Sequence, residues 1–307
     1  MKLLHSAQDL HPAGQKVCLA IGFFDGVHLG HQQVIRQTLT DARQHEALAL
    51  VVTFDQHPNS VVAPARTPPL IYSLSQRLRA IDSFGPDALL LIHFDQAFSE
   101  QTGEAFVRGL VRDLGQIQSL CVGANFLFGH KRGGNVELLK KLGAELRFVT
   151  HGMAAVSLDG RAVSSTRIRE AIRAGNLDAV NQMLGRAYSI AGPIVRGDGL
   201  GHQLGFPTAN LDTAGRALPP HGVYAVHAEF GGRRHRAVLN IGLRPTLQNP
   251  QPQLRVEAHL IDYAGDLYGQ ELEVAFVEKL RDERKFASLK DLRDQIARDI
   301  LDAQMRF

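Results

Sequence analysis

Only two cysteines occur in this chain, Cys18 and Cys121, and each falls within an apolar run. That excludes a disulfide framework and predicts two buried thiols in a reducing cytoplasm. Cys/His spacings of the zinc-binding kind are absent. No apolar run approaches the roughly 20 residues that a membrane-spanning helix needs. Met1 to Pro12 is polar, rich in histidine and without an apolar signal core, so no leader is expected. The expectation is a cytoplasmic protein with no membrane partner. No window joins a Lys/Arg block to aromatics, and 34 basic against 31 acidic residues leave a formal charge of only +3. Nucleic acid is therefore not an expected partner. Internal repeats and low-complexity segments are also missing.

What is present is an ordinary globular composition, 44% hydrophobic and 21% charged, in 307 residues. That length allows two domains with separate cores. In the first half, apolar runs alternate with helical patterns. Val17–Ile21, Leu48–Phe54, Leu89–Phe94 and Leu120–Gly123 read as buried strands. Gln32–Gln44, Ser75–Phe84 and Thr102–Leu114 carry helical spacing. Such alternation predicts a parallel sheet covered by helices, with ligands at the strands' C-terminal ends.

The stretch around which the first half is organised is Ile21–His31, I-G-F-F-D-G-V-H-L-G-H, on the turn from the first of these strands to the first helix. Gly22, Gly26 and Gly30 allow a ligand to approach the backbone closely. His28 and His31 are three apart and share a face at the helix start. A helix N-terminus attracts phosphate, and two imidazoles there can donate to phosphoryl oxygens. The pattern predicts a nucleotide α-phosphate site; a metal-ligating pair and two solvated histidines are the plainer alternatives.

Three further stretches fall where such a sheet would bind ligand. Thr53–Pro58, T-F-D-Q-H-P, ends the second strand, and Asn59–Pro69, with three prolines, reads as a flexible flap or a plain surface loop. Gly123–Gly134 ends the fourth strand and sets Asn125, Phe126 and Phe128 near a Lys131–Arg132 pair among glycines. Asn125 can donate to phosphate and accept from a hydroxyl, whereas the two phenylalanines could simply pack the core. Val163–Arg169, V-S-S-T-R-I-R, opens a helix in which Ser165 reads as an N-cap, while its hydroxyls and arginines also suit a pyrophosphate group.

From about Ala187 onward, short strands and turns take over. Tyr188–Val195, Val223–Phe230, Arg234–Ile241, Arg255–Ile261 and Leu272–Val277 read as strands, with Gly231–Gly232 as a tight hairpin. An antiparallel barrel follows, then one helix, Leu289–Leu301, with Leu289, Leu292, Ile296 and Ile300 facing inward. In Arg255–Leu260 strict alternation puts Val256, Ala258 and Leu260 on the core face. Arg255, Glu257 and His259 share the other face, where pattern alone makes Glu257 a surface carboxylate.

H-x-G-H after a first strand resembles the signature of the nucleotidylyltransferase superfamily. The fuller G-F-F-D-G-V-H-L-G-H resembles the version in bacterial bifunctional riboflavin kinase/FAD synthetases. T-F-D-Q-H-P is similar to that family's T-F-D-P-H-P, with Gln56 loosening the turn where proline is usual. V-G-A-N-F-L-F-G, S-S-T-R-I-R, G-F-P-T-A-N-L, N-I-G-L-R-P-T and R-V-E-A-H-L-I-D-Y-A-G-D-L-Y-G resemble its remaining motifs, in the same order. His202 stands where the family more often has Arg.

The resemblance implies a nucleotidylyltransferase domain over 1–186 and a riboflavin kinase barrel over 187–307. The activities implied are phosphorylation of riboflavin to FMN by the second and adenylylation of FMN to FAD by the first, with ATP and Mg²⁺. His28, His31 and Glu257 would be catalytic, Glu257 as the base for the ribityl hydroxyl. ATP and its phosphates would meet Gly22, Phe24, Asp25, Gly26, Asn125, Ser164, Ser165, Thr166, Arg169, Gly197 and Gly199. Flavin would meet Phe54, His57, Pro58, Phe126, Phe128 and Arg244, and Thr208 and Asn210 would hold the metal. Two rivals stay open at this level: a nucleotidylyltransferase with another acceptor, and a flavin-binding protein with a decayed site. Oligomeric state is not legible.

Overall fold

The computed structural model describes residues 1–10, 15–246 and 249–307, with the side chains of all of these except 244–253. Arg244 therefore lies outside the residues whose side chains are described. The chain packs as two compact units, Met1–Pro69 with Leu74–Ser165, and Leu70–Ser73 with Thr166–Phe307.

The first unit is a six-stranded sheet of β1 (Lys2–Leu4), β2 (Lys16–Ile21), β3 (Leu48–Phe54), β4 (Ala88–Ile92), β5 (Gln116–Gly123) and β6 (Val149–Met153). Every pairing is parallel and the order is β1-β4-β3-β2-β5-β6. The helices are α1 (Leu29–His45), α2 (Pro58–Val62), α3 (Leu74–Asp82), α4 (Gln96–Ser99), α5 (Gly103–Leu114) and α6 (Val136–Leu146). Both sheet faces are buried: Val17, Leu19 and Ile21 of β2 join one core with α5 and α6, and Ala20 joins another with α1 and α3. Double coverage explains why the central strands read as unbroken apolar runs. The edge strands β1 and β6 carry no such run, being three residues long in one case and V-T-H-G-M in the other, so the sequence reading passes over them. The chain leaves β2 for β3 on one side while β5 lies on the other, so the crevice above β2 is a topological switch point.

Cys18 and Cys121 are buried free thiols. Burial pushes the Cys121 thiol up to about 12, which removes thiolate chemistry there.

A small hairpin, β7 (Ser157–Leu158) and β8 (Arg161–Ala162), precedes α7 (Ser165–Arg173) and α8 (Leu177–Leu184). In the second unit β9 (Ser189–Val195), β10 (Ala209–Leu211), β11 (Gly222–Phe230), β12 (Arg233–Thr246), β13 (Asn249–Leu260) and β14 (Glu271–Arg281) close an antiparallel barrel in the order β10-β13-β12-β11-β14-β9. Gly231 and Gly232 take φ of 55° and 72° between β11 and β12, as a two-residue primed turn requires. Two helices complete it, α9 (Leu200–Gln203) and α10 (Leu289–Gln304). Residues Leu70–Ser73 join this unit: Leu70 N–H donates to Gly215 O, and Leu70 O accepts from Ala217 N–H, both at 2.8 Å.

Two expectations are corrected here. Leu289 is 61% exposed instead of facing inward, and the buried positions of α10 are Gln295, Asp299 and Ala303. The cause is a half-buried ion pair: Arg281 donates to both Asp299 oxygens at 2.8 and 2.7 Å, and Gln295 Nε2 donates to Asp299 at 2.7 Å. That bidentate lock sets the helix's rotation. Asn59–Pro69, read as a flap or plain loop, is built largely of α2 and a 3₁₀ turn at Pro64–Arg66, with Asn59 Nδ2 donating to Arg66 O at 3.0 Å. His57 caps α2 and Pro58 supplies its first turn, a combination that starts a helix well.

Candidate active sites

In the first unit the turn after β2 is bent by three positive φ angles, 55° at Phe24, 77° at Gly26 and 41° at Val27. Strain of this kind concentrates at functional loops. Phe24 is 2% exposed, so its ring belongs to the core and only its backbone is open to the site. A Cβ on Gly22 would stand 3.0 Å from that ring, and one on Gly30 would stand 3.2 Å from His28 Cε1. A larger residue at either place would have to displace a neighbouring ring by a few tenths of an ångström.

His28 is the N-cap of α1: its Nδ1 accepts from His31 N–H at 3.4 Å. With Nδ1 an acceptor, the neutral ring carries its proton on Nε2 and can donate there. The His28 and His31 rings stack with centroids 3.6 Å apart and planes 18° apart. Side by side at the start of a helix, they form a donor surface suited to an anion.

Ser165 departs from its expected N-cap role. It is the first residue of α7, and its hydroxyl donates to Asp25 O at 3.1 Å, tying this helix start to the histidine turn. Asp25 is buried, and Ser164, next to Ser165 in sequence, is half-buried. Thr166, exposed, and Arg169, buried, fall in the second unit. Asn125 is exposed just past β5.

At the end of β3, Asp55 meets His93 Nδ1 at 2.5 Å and accepts from Phe94 N–H at 3.0 Å. Burial pushes the Asp55 carboxyl up, but the His93 hydrogen bond and the Phe94 N–H together outweigh it and hold the group below its usual range. The hydrogen bond to Asp55, helped by its charge, raises His93. Gln56 does not leave the turn loose: Nε2 donates to Phe94 O at 2.8 Å and Oε1 accepts from Ser60 Oγ at 3.1 Å. Its side chain supplies by hydrogen bonding the restraint that a proline ring would impose. His57 Nδ1 accepts from Asn59 N–H at 3.0 Å, and its ring meets the edge of Phe23 at 4.9 Å.

The predicted aromatics Phe54, Phe128 and Phe126 are joined through Phe98 and Phe106 into one row, Phe54–Phe98–Phe106–Phe128–Phe126, with successive centroids 5.7, 5.6, 6.2 and 5.2 Å apart. Phe126 and Phe128 pack against the core while remaining partly exposed. They therefore serve packing and leave apolar surface for a ligand.

In the second unit a cavity of about 260 Å³ opens between the barrel wall and α10. Gly199, Thr208, Asn210, Asn240 and Glu257 line one part; Phe286, Leu292, Ile296 and Ile300 line another. Glu257 lies opposite Asn210 on one side and Asn240 on the other in the barrel ladders. The face that alternation assigns to solvent is thus the wall of this cavity. Beside it Arg255 pairs with Asp198 at 3.2 Å, and His259 Nδ1–H donates to Pro207 O at 2.8 Å.

The donor set can be tested against a metal. A Cβ on Gly197 would stand 2.3 Å from Asn210 Nδ2, and one on Gly201 would stand 3.1 Å from Thr208 Oγ1. Bare backbone packs behind both side chains. A hydroxyl and an amide oxygen, both hard and neutral, fit a divalent cation delivered on phosphates. Among the described residues no group of His, Cys, Asp and Glu gathers to hold a metal alone.

Several residues at these sites escaped the sequence reading. Arg77 donates to Phe23 O at 3.0 Å and to Phe54 O. The signal for it was available, because it sits on the same face of α3 as Leu74, Leu78 and Ile81, where an arginine is out of place. Asn240 opened the N-I-G-L-R-P-T motif without being singled out, whereas His93, Asp198 and the Arg281–Asp299 pair carried no comparable signal.

Comparison with known proteins covers the whole chain. A family profile described as FAD synthetase matches residues 11–167, and one described as riboflavin kinase matches residues 184–307. A bifunctional riboflavin kinase/FMN adenylyltransferase of Escherichia coli K12 is 37% identical over 309 aligned positions, covering 100% of this chain and 98% of the relative. One of Pseudomonas fluorescens is 37% identical, with 99% and 97% covered. Among solved structures, one titled as a macrolide-efflux protein from Streptococcus pneumoniae is similar at a TM-score of 0.82 and 27% identity, with 98% of each chain covered.

Proposed function

This chain belongs to the bifunctional riboflavin kinase/FMN adenylyltransferase family, and from that premise we propose which of its residues perform the two reactions. The barrel unit phosphorylates riboflavin to FMN with ATP, and the parallel-sheet unit adenylylates FMN to FAD with release of pyrophosphate. The single observation carrying the residue assignment is the convergence of Thr208, Asn210, Asn240 and Glu257 on one cavity.

In the kinase reaction the ribityl 5′-hydroxyl attacks the γ-phosphorus, Glu257 takes its proton, and ADP leaves. An alcohol is a weak nucleophile at neutral pH, so a positioned carboxylate is the chemistry required. Thr208 and Asn210 would hold Mg²⁺, which neutralises phosphate charge when bound. The apolar part of the cavity, Phe286 with Leu292, Ile296 and Ile300, suits the isoalloxazine ring.

In the adenylylation an FMN phosphate oxygen attacks the α-phosphorus of ATP. His28 Nε2–H and His31 donate to the oxygens on which charge builds, and the backbone of Gly22–Gly26 lets the nucleotide approach. Phe54, Phe126 and Phe128 form an apolar wall for the flavin, with His57 and Pro58 beside it. Ser164, Ser165 and Asn125 serve the nucleotide phosphates. Functionally, residues 1–186 serve adenylylation and 187–307 serve the kinase. A cytoplasmic setting suits both substrates. No helix among the described residues is long and apolar enough to cross a membrane. Incubation with riboflavin, ATP and Mg²⁺, followed by chromatography, should yield FMN and then FAD; absence of both products overturns the assignment.

A further inference from the structure

We propose that Arg77 is a positioning residue for the adenylylation, clamping the histidine-bearing turn after β2 to the end of β3. This rests on the adenylylation site lying in the first unit. Arg77 is 3% exposed on α3. Its Nη1 donates to Phe23 O at 3.0 Å and its Nη2 to Phe54 O. The guanidinium also lies over the Phe23 ring, 4.2 Å from the centroid. Thr53 Oγ1 donates to the same Phe23 carbonyl at 3.2 Å, and the Phe23 ring meets His57 edge-on.

These contacts link the two motifs that must act on one flavin. Phe23 opens the turn that leads to His28, and Phe54 opens the turn that leads to His57. Phe23 lies past the end of β2 and Phe54 is the last residue of β3, so both carbonyls sit where a strand gives way to a turn. A planar guanidinium has the fork to hold two carbonyls at a fixed separation, whereas an ammonium is a single point of charge. In a site where an error of about 1 Å costs about 10²-fold, that separation matters to the reaction. Arg77 acts on the reaction through the backbone carbonyls of Phe23 and Phe54.

The test uses the full chain with Arg77→Lys and Arg77→Met. Because positioning errors of this size cost about 10²-fold, FAD formation from supplied FMN should fall about 100-fold in the Met variant and about 10-fold in the Lys variant. The loss should fall on kcat and on KM for FMN, with KM for ATP and riboflavin phosphorylation unchanged. Undiminished FAD formation by a folded Met variant overturns the clamp. So does a loss spread equally over both substrates with early melting of the protein by circular dichroism, which marks a merely structural arginine. FMN fluorescence quenching separates this proposal from the one beneath it. If the wild-type chain binds FMN but makes no FAD, the adenylylation assignment fails, and the clamp is then judged on whether Arg77→Met weakens that binding. Equal binding by both, or none by the wild type, overturns the clamp.

Discussion

Glu257 lies directly across the ladder from Asn210, and with Thr208 both face one cavity under α10. A carboxylate beside two neutral oxygen donors separates the roles of base and cation holder. Glu257→Gln keeps the size and much of the hydrogen bonding but cannot take a proton. Kinase kcat should fall by about 10²–10⁴-fold, the usual worth of general-base help, with ATP binding little changed. FAD formation from supplied FMN should persist and reports folding within the same molecule. Near-normal FMN production would return Glu257 to a bystander on the cavity wall.

His28 caps α1 and is proposed to donate from Nε2 in the reaction, and the two roles can be separated. His28→Asn retains a side chain that caps helices well, whereas His28→Ala forfeits about 1 kcal/mol of capping. Both should lose FAD formation by about 10²–10³-fold, the typical cost of removing one transition-state donor. Riboflavin phosphorylation should be unaffected. Recovery of activity in the Asn variant would show that capping alone explains His28.

The kinase half should fold without the sheet, but its best boundary is not the change in composition near Ala187. Ile168, Ile172, Val180, Met183 and Leu184 are buried in the helices that precede it, and Asn181 Oδ1 accepts from Tyr188 N–H at 2.7 Å. A fragment 166–307 should convert riboflavin to FMN and never make FAD. A fragment 187–307 should unfold at a lower temperature, because apolar surface covered by α7 and α8 is left bare. Circular dichroism melts decide this; equal midpoints would mean that those helices are dispensable.

The Asp55–His93 pair gives a pH signature at the mouth of the first site. His93 is raised above 6.5, so its share of stability is complete below that value and is lost as pH rises through the folded-state value. Asp55 is lowered below 3.8, so its share is present above that value and is lost as pH falls through its folded-state value. The pair is intact between the two. The His93 side chain is 69% exposed, so screening keeps the energy small, and NMR titration is the better measurement. Its imidazole should titrate above 6.5 in the native chain and fall back in Asp55→Asn. An unchanged titration in the variant would show that the pairing does not exist in solution.

Local chemistry encodes much of this architecture in the order of residues. Buried parallel strands declare themselves as unbroken apolar runs because both faces are covered, and the Gly231–Gly232 hairpin follows from backbone freedom. The motif order announced two nucleotide-using halves. What only the tertiary structure decided depends on contacts distant in the chain. Alternation placed Glu257 on a polar face; closure of the barrel and the seat of α10 turned that face into a cavity wall. Helical spacing pointed Leu289 inward, and the half-buried Arg281–Asp299 pair rotated the helix otherwise. Arg77 stands far from both motifs in sequence, and only packing of α3 on the sheet brings its guanidinium to Phe23 and Phe54, because periodicity records which face a residue occupies and not what lies opposite.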